Sequence, residues 1–465
     1  MTYQFPTYYR DFQCISRNCP DTCCGGWNIA IDPKSLERYR RVLLAPHDNI
    51  SQPSQAFLRR FKKSINFSNS TIRLSKRYCP LLTKEKLCGM YLHLGKDSLC
   101  RTCRTYPRHQ EEFGNLREIS LSLSCPEAAR IILSQKTRPQ MQVRHTSKKC
   151  PSNQQIEEDL LTWMAKARGI LLDILWTSDY SFTTSISMTL AFSHDLQRRH
   201  SQGRFYEDGR FCLEKASKDL DRLAQKYLAV NGADRFTQTY LTERISFSSS
   251  PMSSPTASQL SHRSWLSSLL TLYSKLEPVV ETWPRLMKLC RNSQNLHVPF
   301  SQADSAKDRP DSLCLPEKQL FTYFIQVYFL GAIYDDNLFD KVQFAAISWL
   351  TICLLAESLK NSSCPQISNS NPQAPNSCPQ APNSCPQAPN SCPPASNSNP
   401  SASKPAQDSS LNPSFDSFLI QAAYLYSRQV ENHDPNLNTL FGALHTERAF
   451  QLLPFLSFLN TQSTI

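Results

Sequence analysis

Cys14-Ile-Ser-Arg-Asn-Cys19-Pro-Asp-Thr-Cys23-Cys24-Gly-Gly-Trp27 opens a set of thiols that decides how this chain is organised. Three further segments complete the set: Cys79-Pro-Leu-Leu with Leu-Cys88, Thr-Cys103-Arg-Thr-Tyr-Pro-Arg, and Ser-Cys125-Pro-Glu-Ala-Ala-Arg. With Cys100 they all fall in the first 125 of 465 residues. The N-terminus, Met-Thr-Tyr-Gln-Phe-Pro-Thr-Tyr-Tyr-Arg-Asp, lacks the apolar stretch of a secretory signal, so a cytoplasmic protein with reduced thiols is expected. Thiols grouped this way in such a chain act far more often as metal ligands than as disulfide partners.

The charge is placed as unevenly as the cysteines. The net charge is +12, yet residues 1–150 alone carry 26 Lys and Arg against 11 Asp and Glu. A basic half suits nucleic acid or another anionic partner. It equally suits clustered thiolates, whose pKa values fall beside cations, and Arg101, Arg104 and Arg108 flank Cys103 directly. No zinc-finger helix, helix-turn-helix or RNA-binding strand motif accompanies the charge, so nucleic acid is the less favoured partner. Glycine is scarce, 11 in all, and neither G-x-G-x-x-G nor G-x-x-x-x-G-K-[ST] occurs, which excludes the usual glycine-rich phosphate cradles. The longest apolar runs, Phe321–Ile333 and Phe344–Ala356, are short of the ~20 residues of a membrane span and read as buried helices.

Beyond the thiols the pattern turns helical. Asp32-Pro33 offers an N-cap with proline in the first turn, and Leu36, Tyr39, Val42 and Leu43 follow at helical spacing. Leu160, Leu161, Met164, Leu171, Ile174 and Leu175 form one apolar face; Leu220, Leu223, Ala224, Tyr227 and Leu228 form another. Further helices are expected over Gln259–Leu276, Pro278–Leu289, Lys318–Tyr334, Lys341–Leu359, Phe415–Val430 and Leu437–Leu453, with Phe247–Ser258 as a loop. Gln-Ala-Pro-Asn-Ser-Cys-Pro repeats in tandem at 373–379, 380–386 and 387–393, a composition too poor in apolar residues to fold. Its cysteines, Cys364 just before and Cys378, Cys385 and Cys392 within, read as part of an expanded surface repeat. The expected fold is therefore mainly α: an irregular, metal-organised cysteine module at 1–134 packed on a helical domain. A linker at 135–155, helices at 156–360, a disordered Pro/Ser/Asn-rich insertion at 361–413 and completing helices at 414–465 make up the rest.

Residue chemistry alone leaves zinc, an iron–sulfur cluster and disulfides as alternatives. Cys19-x3-Cys23 suits structural zinc, although the adjacent Cys23-Cys24 pair is awkward for one tetrahedral ion. Iron–sulfur sites tolerate irregular spacing and often carry proline after a ligand, as after Cys19, Cys79 and Cys125. The C-x3-C-x2-C spacing of radical enzymes that use S-adenosylmethionine is not present.

Taken together, Tyr9-x2-Phe12-x-Cys14-x4-Cys19-x3-Cys23-Cys24-x2-Trp27-x4-Asp32, Cys79-Pro80-Leu81-Leu82, Leu87-Cys88, Leu94-Gly95, Cys103-Arg104-Thr105-Tyr106-Pro107-Arg108 and Ser122-Leu123-Ser124-Cys125-Pro126-Glu127-Ala128-Ala129-Arg130 resemble the flagellin lysine-N-methylase family. The shorter cysteine core also resembles a broader group of zinc- or iron-chelating proteins. The resemblance implies a methyltransferase that moves methyl groups from S-adenosylmethionine to lysines of flagellin, with a [4Fe-4S] cluster. The cluster's ligands would be drawn from Cys14, Cys19, Cys23, Cys24, Cys79, Cys88, Cys103 and Cys125, with zinc as the alternative metal. Cys100 stands where the family pattern has serine and is left out of that set. A non-catalytic metal-binding protein is the alternative function.

Individual residues carry two readings each. Arg104 and Arg108 hold the donor's carboxylate or support the cluster's negative charge, or are ordinary surface arginines. Trp27 stacks on adenine or anchors the core. Asp32 reads first as a helix cap, Glu127 as a carboxylate on a helix dipole, and Tyr106 as packing beside the metal or as a base for lysine. No residue in the sequence identifies itself as the base that frees the lysine lone pair, whose reference pKa is about 10.4.

Overall fold

Asp32 begins the first helix as its sequence predicts. In the computed structural model, which describes residues 1–27, 29–45, 54–75, 77–147, 157–177, 180–229, 232–236, 239, 262–292, 315–362 and 415–460, that helix runs Pro33–Leu44 with Asp32 Oδ1 accepting from Ser35 N at 3.0 Å. Asp32 Oδ2 accepts from Arg101 N at 2.7 Å, so the same carboxylate ties the helix to the segment that carries Cys100 and Cys103. Burial alone would raise this carboxyl, but the backbone donors Arg101 and Ser35 outweigh it and hold it down to about 2. Asp32→Ala is expected to cost about 1 kcal/mol of stability, the usual worth of an N-cap. Because the folded pKa lies below the usual carboxylate value, the contribution is complete above pH ~4 and disappears as pH falls toward 2. Urea denaturation of both proteins across that range checks it.

Around this helix residues 29–103 build a small core of their own. Ile29, Leu36, Tyr39, Phe57, Phe61, Ile65, Ile72, Leu81 and Met90 pack together with Cys79 and Cys100. Three two-residue strands, β2 (Ile29–Ala30), β4 (Thr71–Ile72) and β3 (Ile65–Asn66), lie side by side beneath the Gln55–Ser64 helix.

A larger sheet departs from the expected pattern. β1 (Thr2–Pro6) lies parallel to β6 (Leu116–Leu121) and antiparallel to β7 (Met141–His145), while β5 (Arg108–Phe113) forms a hairpin with β6. β7 falls inside the stretch expected to be a linker. β5 reads Arg-His-Gln-Glu-Glu-Phe, with too few apolar residues to signal a half-buried strand. The sheet docks on the helices through Glu118 and Arg168, a buried bidentate pair at 2.6 and 2.7 Å.

The rest is helical. Leu338–Asn361 is the central helix and is buried on every side, packed by Phe182–Ser201, Leu315–Tyr328, Phe415–Gln429 and Asp434–Thr446. Among the described residues it alone has the length and apolarity of a membrane span, yet 94% of that stretch is buried inside the protein. A helix apolar all round is what a core position requires. Of the expected helices, Gln259–Leu276 is observed as His262–Ser274 and Pro278–Leu289 as Trp283–Asn292. Lys318–Tyr334 becomes an α-helix, Leu315–Tyr328, followed by a 3₁₀ turn over Phe329–Tyr334. Phe182–Ser201, rich in Ser and Thr, forms a helix that its periodicity does not announce. The loop expected at 247–258 and nearly all of the 361–413 repeat lie outside the described residues. The chain leaves the core at Asn361 and returns at Phe415, where the next helix packs directly on the one it left.

Candidate functional site

The short elements of the N-terminal half bring six thiols to one place. Cys79 N donates to Cys24 O at 2.6 Å, which sets the Cys23-Cys24 turn against the Cys79 segment. A bridge between Leu82 and Cys88 folds that segment back on itself, and Gly89 N donates to Leu81 O at 2.8 Å. A side chain at Gly89 would come within 2.7 Å of Leu81 O, so only glycine permits the approach. Cys100 and Cys103 open and occupy the short Arg101–Thr105 helix. The charges then interleave: Cys79 faces Cys88, Cys100 and Cys23; Cys103 faces Cys100, Cys24 and Cys88. Cys125 faces Cys19 and Cys23 from the other side.

Burial and mutual hydrogen bonds set how readily these thiols ionise. Burial pushes Cys79 up to about 11 and Cys125 up to about 12. A hydrogen bond from Cys103 brings Cys100 down to about 7, while sharing that proton drives Cys103 well up. Cys23 is likewise raised, first by its hydrogen bond with Cys24. Burial and hydrogen bonding thus raise Cys23, Cys79, Cys103 and Cys125 while Cys100 is lowered, and among the described residues no three Cys, His, Asp or Glu side chains stand at metal-ligand spacing. The donor set nevertheless fits a soft metal centre chemically: several thiols share one region, and only a cation would let them ionise together.

Beside the thiols runs a shallow cleft, partly open to solvent, between the cysteine module and the helices. One wall is the turn after Cys19, including Pro20, Asp21, Thr22 and Trp27. The other is built from Val279–Thr282, Tyr424, Arg428 and Asn432. Arg428 crosses it, pairing with Asp21 and donating to Ser124 O at 2.9 Å while its guanidinium lies over the Tyr424 ring. Its charge in turn lowers the thiols of Cys19 and Cys23 against their burial. Gly25 is pressed so closely on Tyr78 that a Cβ would sit 2.6 Å from the ring.

The residues singled out by sequence separate here. Trp27 lines the cleft, with Nε1 donating to Cys23 O at 2.9 Å and its ring 5.6 Å from that of Tyr106. Tyr106 bonds Ser124 Oγ at 3.0 Å, and burial raises its phenol, so the hydroxyl stays protonated at neutral pH. Arg108 lies over Tyr9 and Phe12, and Arg104 is exposed; neither lines the cleft. Glu127 pairs with Arg130 in the first turn of the Pro126–Leu133 helix. Cys14 is exposed, its sulfur accepting from Ser16 N at 3.4 Å. Cys100, set aside on the resemblance, is 1% exposed and sits among the thiols. Asp21, Arg77, Glu281 and Arg428 had no signal in sequence, because what recommends them is a wall assembled from segments hundreds of residues apart.

Comparison with known proteins points one way. The chain is 30% identical over 134 residues to the flagellar biosynthetic protein FliU of Salmonella muenchen, a match covering 29% of this chain and 78% of that protein. It is 31% and 29% identical, again over 134 residues, to lysine-N-methylases of Salmonella typhimurium and Salmonella choleraesuis. The match spans a third (33%) of each methylase. No family model and no solved structure matches.

Proposed function

Because the chain belongs to the family of the flagellar biosynthetic protein FliU, we propose that it is a cytoplasmic protein-lysine N-methyltransferase that uses S-adenosylmethionine, acts on flagellin and holds a [4Fe-4S] cluster. The observation that carries this reading is the juxtaposition of buried thiols with an open cleft roofed by a second part of the chain. The thiols that would hold the cluster are drawn from Cys23, Cys24, Cys79, Cys88 and Cys103, with Cys100 added to them and Cys19 and Cys125 alongside. When bound, the donor supplies an electrophilic methyl group and the cluster supplies a Lewis-acidic or redox-active centre.

The chain's own residues do the rest. Trp27, held by Cys23 O and backed by Tyr106, forms a fixed aromatic wall at the thiols. Arg428 fixes the opposite wall and is neutralised by Asp21, so the pair adds rigidity without adding net charge. Tyr106, bonded to Ser124 Oγ and packed on the Trp27 ring, completes the Trp27 wall. The names lysine-N-methylase and flagellar biosynthetic protein support lysine as acceptor and a link to the flagellum.

Incubation of anaerobically purified protein with labelled S-adenosylmethionine and flagellin tests the reading. Label in flagellin lysines is the expected result. A second reading, a non-catalytic iron- or zinc-binding protein that contacts nucleic acid, is favoured by the exposed Arg59, Arg60, Lys62 and Lys63 of the Gln55–Ser64 helix. Salt-dependent nucleic-acid binding with no methyl transfer would establish that one instead.

A further inference from the structure

Four charged side chains face the cleft, and two of them are already spent on each other. Asp21 and Arg428 form the ion pair described above. Glu281 and Arg77 remain. Glu281 is exposed at the opening and makes no ion pair among the described residues; Arg77 is exposed and reaches the same loop, with Nη2 donating to Pro278 O at 3.2 Å. One carboxylate and one guanidinium thus line the same opening, the guanidinium reaching the loop that carries the carboxylate, together with the rings of Trp27, Tyr78 and Tyr424.

The opening is built rigidly. Val279 N and Val280 N each donate to Gln429 Oε1 at 2.9 Å, Gln429 Nε2 donates to Glu277 O at 2.6 Å, and Asn436 clasps Glu277 at 2.8 and 2.9 Å. Gln429 is fully buried, so the loop that presents Glu281 is strapped from inside the protein. Arg77 holds a left-handed backbone, φ 71°, rare for a side chain of its kind, and its carbonyl accepts from Gly26 N at 2.9 Å. That conformation places Tyr78 against Gly25 and Arg77 at the opening.

We propose that this cleft is the seat of a ligand with a zwitterionic amino-acid head, its ammonium on Glu281 and its carboxylate on Arg77, and an aromatic or cationic body against Trp27 and Tyr78. Guanidinium and carboxylate recognition by opposite charges fixes the head, and aromatic faces accept either a stacked ring or a positive centre. The inference rests on the proposed methyl transfer, because S-adenosylmethionine is a molecule of this kind: α-amino and carboxylate groups at one end, a sulfonium in the middle, a purine at the other. Arg104 and Arg108, the arginines that sequence suggests for the donor's carboxylate, stand outside this lining.

Titration of the full chain, anaerobic and without flagellin, separates the parts, with calorimetry and tryptophan fluorescence as readouts. S-adenosylmethionine and S-adenosylhomocysteine are expected to bind, and 5′-methylthioadenosine, which lacks the amino-acid head, at least about tenfold more weakly. Glu281→Gln and Arg77→Met should each weaken S-adenosylmethionine about tenfold and leave 5′-methylthioadenosine unchanged, since one charge-assisted hydrogen bond in a polar site is worth about that factor. Unchanged unfolding midpoints show that the variants are folded. Wild-type binding that neither variant alters, or equal binding of 5′-methylthioadenosine, overturns this site while leaving methyl transfer standing. Binding of Nα-acetyl-lysine amide alone would assign the cleft to the acceptor and overturn the donor assignment. Wild-type protein that binds no donor yet is folded would overturn the methyltransferase reading as well.

Discussion

Arg428→Met is expected to lower stability by about 3–5 kcal/mol, the usual result of removing one member of a buried ion pair. Side chains of Arg428 and Asp21 are only 15% and 9% exposed, and they join parts of the chain 407 residues apart. Without the guanidinium, Asp21 is left uncompensated, the carbonyl of Ser124 loses its donor, and Tyr424 loses the cation over its ring. The cysteine module then has one fewer tie to the helices, and the thiols of Cys19 and Cys23 lose the charge that favours their ionised form. Urea unfolding reads the stability, and the rate of reaction with a thiol reagent reads exposure of the cleft wall. Asp21→Asn in the same background should recover part of the loss, because it removes the stranded charge. A single variant within about 1 kcal/mol of wild type would show that the pair is not what joins the two parts.

Cys103→Ala and Cys79→Ala are expected to abolish the metal site and with it methyl transfer. Wild-type protein purified without oxygen should be brown, absorb broadly near 400 nm and hold roughly four irons and four sulfides per chain. Each variant should be colourless, hold almost no iron and be less soluble, because a metal bound by segments this far apart in sequence also closes long loops. Cys378→Ala and Cys385→Ala, in the tandem repeat, are the controls and should change neither colour nor iron. A colourless wild-type preparation with one or two zincs would replace the cluster by structural zinc. Iron retained in both thiol variants would move the site away from these residues.

What the sequence determined by itself is what short-range chemistry controls. The grouping of thiols is legible because ligand segments are local, and the cap at Asp32 and the helix it starts follow from neighbours within a turn. Amphipathic helices such as Leu213–Leu228 announce themselves by spacing, since one face must be buried and the other wet. The mainly α character followed from the same signals. Where the surroundings are uniform, periodicity fades: Leu338–Asn361, buried all round, was legible only as an unbroken apolar run, and Phe182–Ser201, with Ser185, Ser187, Thr189 and Ser193 inside the core, was not legible at all.

Tertiary structure decided everything that depends on distant segments meeting. β1 gains its partner 114 residues away, Thr2 against Leu116, and no property of residues 2–6 names that partner. Cys100 joins the thiols because Asp32 draws the Arg101 backbone to the first helix. The cleft needs Asp21, Arg77, Glu281 and Arg428 at once, and each of them alone is an ordinary charged residue. A charge acquires a role only from what stands within a few ångströms of it, and that distance is set by the packed core rather than by order along the chain.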